Sequence, residues 1–425
     1  MNVLIIGSGG REHALALKIK QSPNLYNLYI MPGNPGTSYI GENVNINPSS
    51  QNNVLNFCAE KEIDLVVIGP EQPLVEGLAD VLRENKFNVF GPNKAAAQIE
   101  ASKAFAKEIM EEADVPTADF IEFSAKNYNL AKGYVKEKKY PCVIKADGLA
   151  AGKGVFVCNS PDEAEEALKT ILLEKTFGES GEKLLVEEFL KGEEASVFAI
   201  CDGESFVCLP SSQDHKRIGD NDTGKNTGGM GAYAPAPVVT PKMFEEIKNR
   251  IFAPTLKTLK KNNKPFIGCL YAGLMITNDG PKVIEFNCRF GDPETQVVLS
   301  VIEGDFLRLL YTAAIGDLDK KLVKYNGGAS VCVVAASMGY PGSYKKGFEI
   351  TGLDELPFDI IVYHAGTKKE DEKILTNGGR VLGVTSTIPK YDLTIAKEKA
   401  YKAMKKINFE NIYYRRDIAD RALNY

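Results

Sequence analysis

Over the first hundred residues, short apolar runs alternate with amphipathic stretches. Val3 to Ile6, Leu28 to Met31 and Asp64 to Gly69 predict strands, and Arg11 to Gln21 predicts a helix. Strands spaced by helices in this way imply a parallel α/β unit. After Pro92 an alanine-rich helical stretch, Lys94 to Glu112, carries the chain out of that unit, which puts a boundary near Ala101. From Tyr140 to Ile200 the order is strand, glycine-rich loop, strand, helix, strand. Pro210 to Pro237 then reads as one long polar loop, and a loop of that length inside a compact domain points to function. Strands resume at Gly268 to Thr277 and Lys282 to Asn287, followed by one apolar helix over Thr295 to Ile315. The tail holds two strand-like runs, ASVCVVAAS and GRVLGVTS, and a closing helix over Asp392 to Lys406. The expected fold class is a multidomain α/β and α+β protein: a parallel α/β unit over 1–101, a middle unit over 102–326 and a smaller α+β unit over 327–425.

A chain of 425 residues with 44% hydrophobic content is too long for one core and suits several domains around a shared cleft. The net charge of −5 comes from scattered residues, so no basic surface marks a nucleic-acid partner. Eight cysteines show no CxxC spacing and sit among apolar neighbours, which predicts reduced core thiols. The three histidines share no metal-ligand spacing. No charged and apolar leader follows Met1, and no apolar run approaches the roughly 20 residues that span a bilayer, so the expectation is a cytoplasmic protein without membrane contact.

Chemistry concentrates in a few segments. Gly7-Ser8-Gly9-Gly10-Arg11-Glu12 joins the first strand to the first helix, where backbone N–H groups favour an anion. The third glycine of a dinucleotide fingerprint is replaced by Glu12, whose charge opposes a pyrophosphate. Arg11 suggests a single phosphate or sugar phosphate there, with Gly9 and Gly10. Two further loops that follow strands add Asn34 and Gly36, and Glu71, as substrate contacts.

In CVIKADGLAAGKGVFV an apolar strand ends at Lys145, and Gly152, Lys153 and Gly154 form a loop able to close on phosphate oxygens. It lacks the GK[ST] that opens the helix of a Walker loop. In LLVEEFLKGEEASVFAI, backbone groups around Glu188, Phe189 and Leu190 can meet a purine edge, while Glu187 or Glu194 accepts from its amino group or the ribose. In KVIEFNCRFGDPETQ, Glu285 and Asn287 stand two apart on a strand and share one face, a pair suited to magnesium. Arg289, next on that face if the strand continues, clamps a substrate carboxylate or stabilises the transferring phosphoryl group. Asp292-Pro293 is a candidate cis turn beside it. The polar segment Ser211 to Tyr233 is too charged to pack inside; Asp214, His215 and Lys216 are its candidate substrate contacts, with Asp214 or His215 as a possible base.

These segments resemble the ATP-grasp superfamily and, within it, the phosphoribosylamine–glycine ligase family. GSGGREHALA, GPEQPLV, KADGLAAGKGV, VEEFLKGEEAS, SQDHKR with NTGGMGAY, VIEFNCRFGDPETQ, YHAGT and TNGGRVLGV carry the likeness over essentially the whole chain. The resemblance implies an N-terminal substrate domain, an ATP-grasp core with a small mobile lid at about 120–190, and a C-terminal domain closing the cleft. It assigns Lys103, Lys145, Glu187, Phe189, Leu190 and Glu194 to ATP, Glu285 and Asn287 to magnesium or manganese, and Gly9, Arg11, Asp214 and Arg289 to substrates. Arg289, Lys145 and Asp214 would carry the catalysis. The implied reaction joins glycine to 5-phosphoribosylamine through glycyl phosphate, in a monomer. Relatives often carry a second metal carboxylate one strand earlier; FIGCLYAGLMIT holds no acid, which leaves the metal count open. An ATP-grasp carboxylase and a nucleotide-binding sensor are the competing readings.

Overall fold

The computed structural model describes residues 1–149, 154–174 and 176–425. Five parallel strands open the chain, in spatial order Glu42–Asn43, Asn27–Pro32, Asn2–Gly7, Leu65–Ile68 and Val89–Phe90. Val3, Leu4, Ile5 and Ile6 are all fully buried, as expected of a parallel sheet covered on both faces. The strand order reverses between Asn2–Gly7 and Leu65–Ile68, and the helix Gly10–Ile19 begins beside that crevice. The alanine-rich stretch is two helices, Lys94–Ala101 and Lys103–Glu112. Ser102 breaks it with extended backbone, and its hydroxyl accepts the Phe105 N–H to start the second helix.

Two antiparallel sheets follow. One, ordered Phe120–Ser124, Lys183–Glu188, Cys142–Ala146 and Val155–Cys158, packs the helices Tyr128–Glu137 and Pro161–Leu172 over a core of its own that includes Ile144, Leu168 and Val186. The other, ordered Phe206–Cys208, Glu193–Asp202, Ile267–Thr277 and Gly280–Asn287, forms a floor facing the first. Each strand of the first sheet reads inward and outward alternately: Cys142, Ile144 and Ala146 enter its core, which sends Val143 and Lys145 to the other face.

Two expectations are overturned here. Pro210 to Pro237 is not a solvated loop. Gln213–Asp214 and Gly231–Ala234 pair with each other and extend the C-terminal sheet through Ala329–Ser337, and Arg217–Gly219 pairs with Thr223–Asn226. Ser211 through His215 are all buried. The charge that argued against burial is compensated by partners distant in sequence. Arg415, fully buried, donates from Nε and Nη2 to both oxygens of Asp417 at 2.8 and 2.6 Å, and from Nη1 to Asp222 and to the Arg217 carbonyl at 3.0 Å each. The C-terminal sheet thus continues from Ala329–Ser337 to Arg380–Ile388 and Ile360–His364 on one side and borrows its other edge from residues 213–234.

The second correction concerns Thr295 to Ile315. This stretch comprises the helix Glu294–Val298, a single 3-10 turn, the strand Ile302–Gly304 and the helix Phe306–Ala314, which the Asp305 carboxylate caps. Gly304, at φ +107°, turns the chain where a Cβ would overlap the Leu322 carbonyl.

Removing the Arg415 side chain strands Asp417 and the Arg217 carbonyl together. Arg415→Ala should lower unfolding stability by about 3 kcal/mol, read as a shift in the denaturant midpoint; an unchanged midpoint refutes the role given to this cluster.

Candidate active site

The floor takes its chemistry from strand register. Glu285 lies opposite Gly273, Asn287 opposite Tyr271, and Gly273 opposite Ser196, so Ser196, Tyr271, Glu285 and Asn287 share one face, with Glu194 further along it. A Cβ at Gly273 would come within 3.2 Å of Glu285 and 3.3 Å of Tyr271, so a larger residue there would press these side chains outward. Ser196 Oγ and the Tyr271 hydroxyl lie 2.8 Å apart, and that hydroxyl donates to Glu294 at 3.0 Å.

Lysines face this floor. Lys145 Nζ lies 2.7 Å from Glu187 Oε2 and donates to the Ile284 carbonyl, one residue from Glu285, at 3.2 Å. Lys107 reaches the other oxygen of Glu187 at 3.3 Å and donates to Thr117 Oγ1 and the Ala118 carbonyl. Glu187 therefore holds two ammonium groups, in place of the purine contact expected from sequence. Burial pushes Lys107 down to about 8 and also lowers Lys103, which donates to the Gly148 carbonyl at 3.0 Å. Burial alone would raise Glu285, but Lys216, Lys145, Lys103 and Arg289 outweigh it and hold its carboxyl below the ordinary value. Phe189 and Leu190 lie between Lys183–Glu188 and Glu193–Asp202, with Phe189 exposed. Glu188 receives Lys282, and Glu194 pairs with Lys216 at 2.8 Å. Gly154 closes the phosphate-loop hairpin through its carbonyl, while Gly152 and Lys153 lie outside the described residues.

Alternation sorts the DHK segment. Asp214 and Lys216 face Glu194, Glu285 and Glu294, whereas His215 points the other way, against Tyr233 with ring centroids 6.0 Å apart and toward Arg415. His215 is thus not a cleft residue, and burial with the Arg415 charge keeps it neutral, down to about 3. Asp214 is 6% exposed, and burial, assisted by Glu294, Glu194 and Glu285 against the opposing pull of Lys216, pushes it up to about 8.

The phosphate expected at the first helix start finds its place taken. Glu12 accepts the Gly9 N–H at 2.6 Å and the Arg11 Nε–H at 2.6 Å, Arg11 Nη1 donates to the Phe290 carbonyl at 3.0 Å, and the Arg11 backbone N–H donates to Asp292. Gly10 abuts the Gln296 amide. Asn34 is likewise committed within the fold: its amide donates to the carbonyls of Ser8 and His364, and its oxygen accepts from Gly36 and Thr37. Gly36 is small because His13 and His364 pack on it. Asp292-Pro293 is cis, with Pro293 against Gly229. Arg380, from the TNGGR segment, donates to the carbonyls of Asp292 and Gly228.

Arg289 does not extend the metal strand, which ends at Asn287. Its guanidinium lies between Glu71 at 3.1 Å and Glu100 at 2.8 Å. Against the cost of burial, Arg289 and Arg11 bring Glu71 down to about 2. Glu100, Lys107, Tyr271, Glu294 and Arg380 are site residues that motif reading missed. Glu294 and Arg380 lay inside quoted motifs, while Glu100 and Tyr271 carried no signal of their own.

Among the described residues no cluster of three or more His, Cys, Asp or Glu side chains forms a metal cage. One carboxylate and one amide oxygen on a single face fit a hard cation that takes its remaining ligands from nucleotide phosphates. Two facing antiparallel sheets, with Lys145 on one, the Glu285–Asn287 pair on the other, and Lys103 and Lys107 on the adjoining helix, define an ATP-grasp protein. The chain belongs to the phosphoribosylglycinamide synthetase family, whose N, ATP-grasp and C domains match residues 1–100, 101–295 and 330–421. It is 46% identical over 419 residues to phosphoribosylamine–glycine ligase of Caldanaerobacter subterraneus subsp. tengcongensis, covering 99% of each chain. The corresponding ligase of Rhizobium meliloti is 48% identical over 425 residues, covering 100% of this chain and 99% of the relative. The crystal structure of the Thermotoga maritima ligase superposes with TM-score 0.84 at 35% identity over 99% of this chain and 100% of that one. Biotin carboxylase of Campylobacter jejuni, as a complex with an ATP analogue, shares the fold at TM-score 0.74 and 14% identity, over 97% and 93%. Among the described residues no helix is long and apolar enough to cross a membrane.

The raised Asp214 carboxyl has a measurable sign. The folded state keeps a proton that the unfolded chain releases near 3.8, so this contribution to stability is fully present below that pH and is lost as pH rises through about 8. Asp214→Asn should therefore gain thermal stability relative to the native chain between about pH 5 and about pH 9; a constant difference in Tm rules out the buried, protonated carboxyl.

Proposed function

We propose that the chain joins glycine to 5-phosphoribosylamine with ATP, giving glycinamide ribonucleotide, ADP and phosphate, as the names of its relatives describe. The observation that carries this reading is the bond from lid lysine Lys145 to the Ile284 carbonyl beside Glu285, which brings phosphate-binding cations and a metal-binding carboxylate to one point of the cleft. ATP lies between the two sheets, its phosphates toward Lys145 and Lys103. Glu285 and Asn287 would hold a magnesium or manganese ion, which would supply charge neutralisation at the phosphates. The glycine carboxylate attacks the γ-phosphorus, ADP leaves, and glycyl phosphate forms. The amine of phosphoribosylamine then attacks the acyl carbon and expels phosphate. Asp214 faces this space beside Lys216, and its carboxyl oxygen accepts a hydrogen bond from the glycine ammonium or the attacking amine.

The division of labour follows the units 1–101 for phosphoribosylamine, 102–326 for ATP with a closing lid at about 120–190, and 327–425 for sealing the cleft. Lid closure excludes water that would hydrolyse the acyl phosphate. The protein works as a cytoplasmic monomer. Arg289 is given a different part from the one its motif suggests: with both faces taken by carboxylates, it orders Glu71 at the substrate crevice.

ADP release should require glycine and freshly generated phosphoribosylamine together; release with bicarbonate instead would indicate a carboxylase, and release with neither a different enzyme. Glu285→Ala should reduce turnover by about a thousandfold with Tm unchanged. Arg289→Ala should in addition cost roughly 3 kcal/mol of stability, because buried Glu100 loses its partner. Equal Tm values for the two variants would return Arg289 to the role of a free substrate clamp.

A further inference from the structure

The N-terminal sheet has the strand order and the glycine loop of a nucleotide-binding crevice, yet the crevice is filled by the chain itself. Glu12, 2% exposed, lies where the first and fourth strands in sequence part. A Cβ on either Gly7 or Gly69 would overlap its side chain, so both strand ends are shaped around this carboxylate. It accepts from the Gly9 N–H and the Arg11 Nε–H, the donors a bound phosphate would use. Asp292 takes the Arg11 backbone N–H from the opposite side. Arg11 is thereby fixed at two points, by Glu12 and by the Phe290 carbonyl, with its charge felt at Glu71 and Asp292.

We propose that Glu12 is a built-in anion that closes the N-terminal crevice to nucleotide phosphates and, by holding Nε, positions the Arg11 guanidinium toward the phosphoribosylamine crevice. Its role is to fill the anion site at the helix start with the protein's own carboxylate, so that no free phosphate settles on the Gly9 N–H and the Arg11 Nε–H and the remaining face of Arg11 is left for the substrate. The inference rests on the ligase reading for its substrate, but its exclusion half does not.

The experiment pairs a kinetic with a binding readout. Glu12→Gln keeps the shape and the acceptor for Gly9 but loses the charge that holds Arg11. It should raise the KM for phosphoribosylamine about tenfold while leaving the KM for ATP unchanged, with a lower Tm because buried Arg11 loses its charged partner. Adding Arg11→Ala in that background should cost little more, because the two residues act as one unit. Equal rises in both KM values, or fully additive penalties, overturn the positioning role. Independently of turnover, calorimetry with inorganic pyrophosphate on protein saturated with ADP should detect binding to Glu12→Ala and none to the native chain. Binding to both, or to neither, overturns the exclusion role. If ligase activity is absent from the native chain but pyrophosphate still discriminates, the functional reading fails and the filled crevice stands.

Discussion

One buried carboxylate ties the lid to the rest of the molecule. Glu187 keeps the ammonium groups of Lys145 and Lys107 out of water, and these lysines come from a lid strand and from the helix that leads into the lid. Taking three charges from solvent is costly unless each finds a partner. Here the remaining donors of Lys145 and Lys107 are spent on backbone carbonyls and a threonine hydroxyl. Lys107 joins the helix Lys103–Glu112 to the lid sheet through Glu187, and Lys145 joins that sheet to the floor through the Ile284 carbonyl. The same pairing sets the Lys145 ammonium beside the Ile284 carbonyl, one residue from Glu285, so packing and the charge of the cleft draw on one interaction.

Charge elsewhere in the cleft follows the same logic. Arg289 lies between Glu71 and Glu100, Lys216 beside Glu194 and Asp214, and Asp292 between Arg11 and Arg380. Each group is at least partly buried, and each is matched by an opposite charge. A site so arranged needs little reorganisation when a phosphoryl group moves, because its dipoles and ions are already set.

Much of the fold was legible in the residues. The apolar runs of the N-terminal sheet, the lid hairpin around Lys145 and the strand pair ending at Asn287 all appear where periodicity put them, because local pattern and burial agree there. Ser211 to Tyr233 failed that test for a physical reason: Arg415 neutralises Asp222, Glu194 pairs with Lys216, and its strands complete a sheet whose other members lie far along the chain, none of which is local. The continuous helix expected after Thr295 likewise yielded to Gly304, whose backbone answers to Leu322. In the site, Glu285 and Asn287 followed from a two-residue repeat. The same repeat, applied to Asp214, His215 and Lys216, would have separated His215 from its neighbours, but only once the segment was known to be a strand. Arg11 and Asn34 were legible as polar residues at strand ends; that their partners are the protein's own groups was not.

The borrowed edge of the C-terminal sheet bears on how the chain is made. Gly231–Ala234 leaves the ribosome with its hydrogen-bonding side open, and the strand that covers it, Ala329–Ser337, emerges roughly a hundred residues later. At translation speeds that interval lasts roughly 5 to 20 seconds. Through it, a glycine-rich, buried-in-the-end segment stands unpaired beside an otherwise finishable middle unit, and Arg415 arrives later still. The polar texture of residues 211–233, misleading as a guide to burial, is well suited to keeping such a segment soluble while it waits.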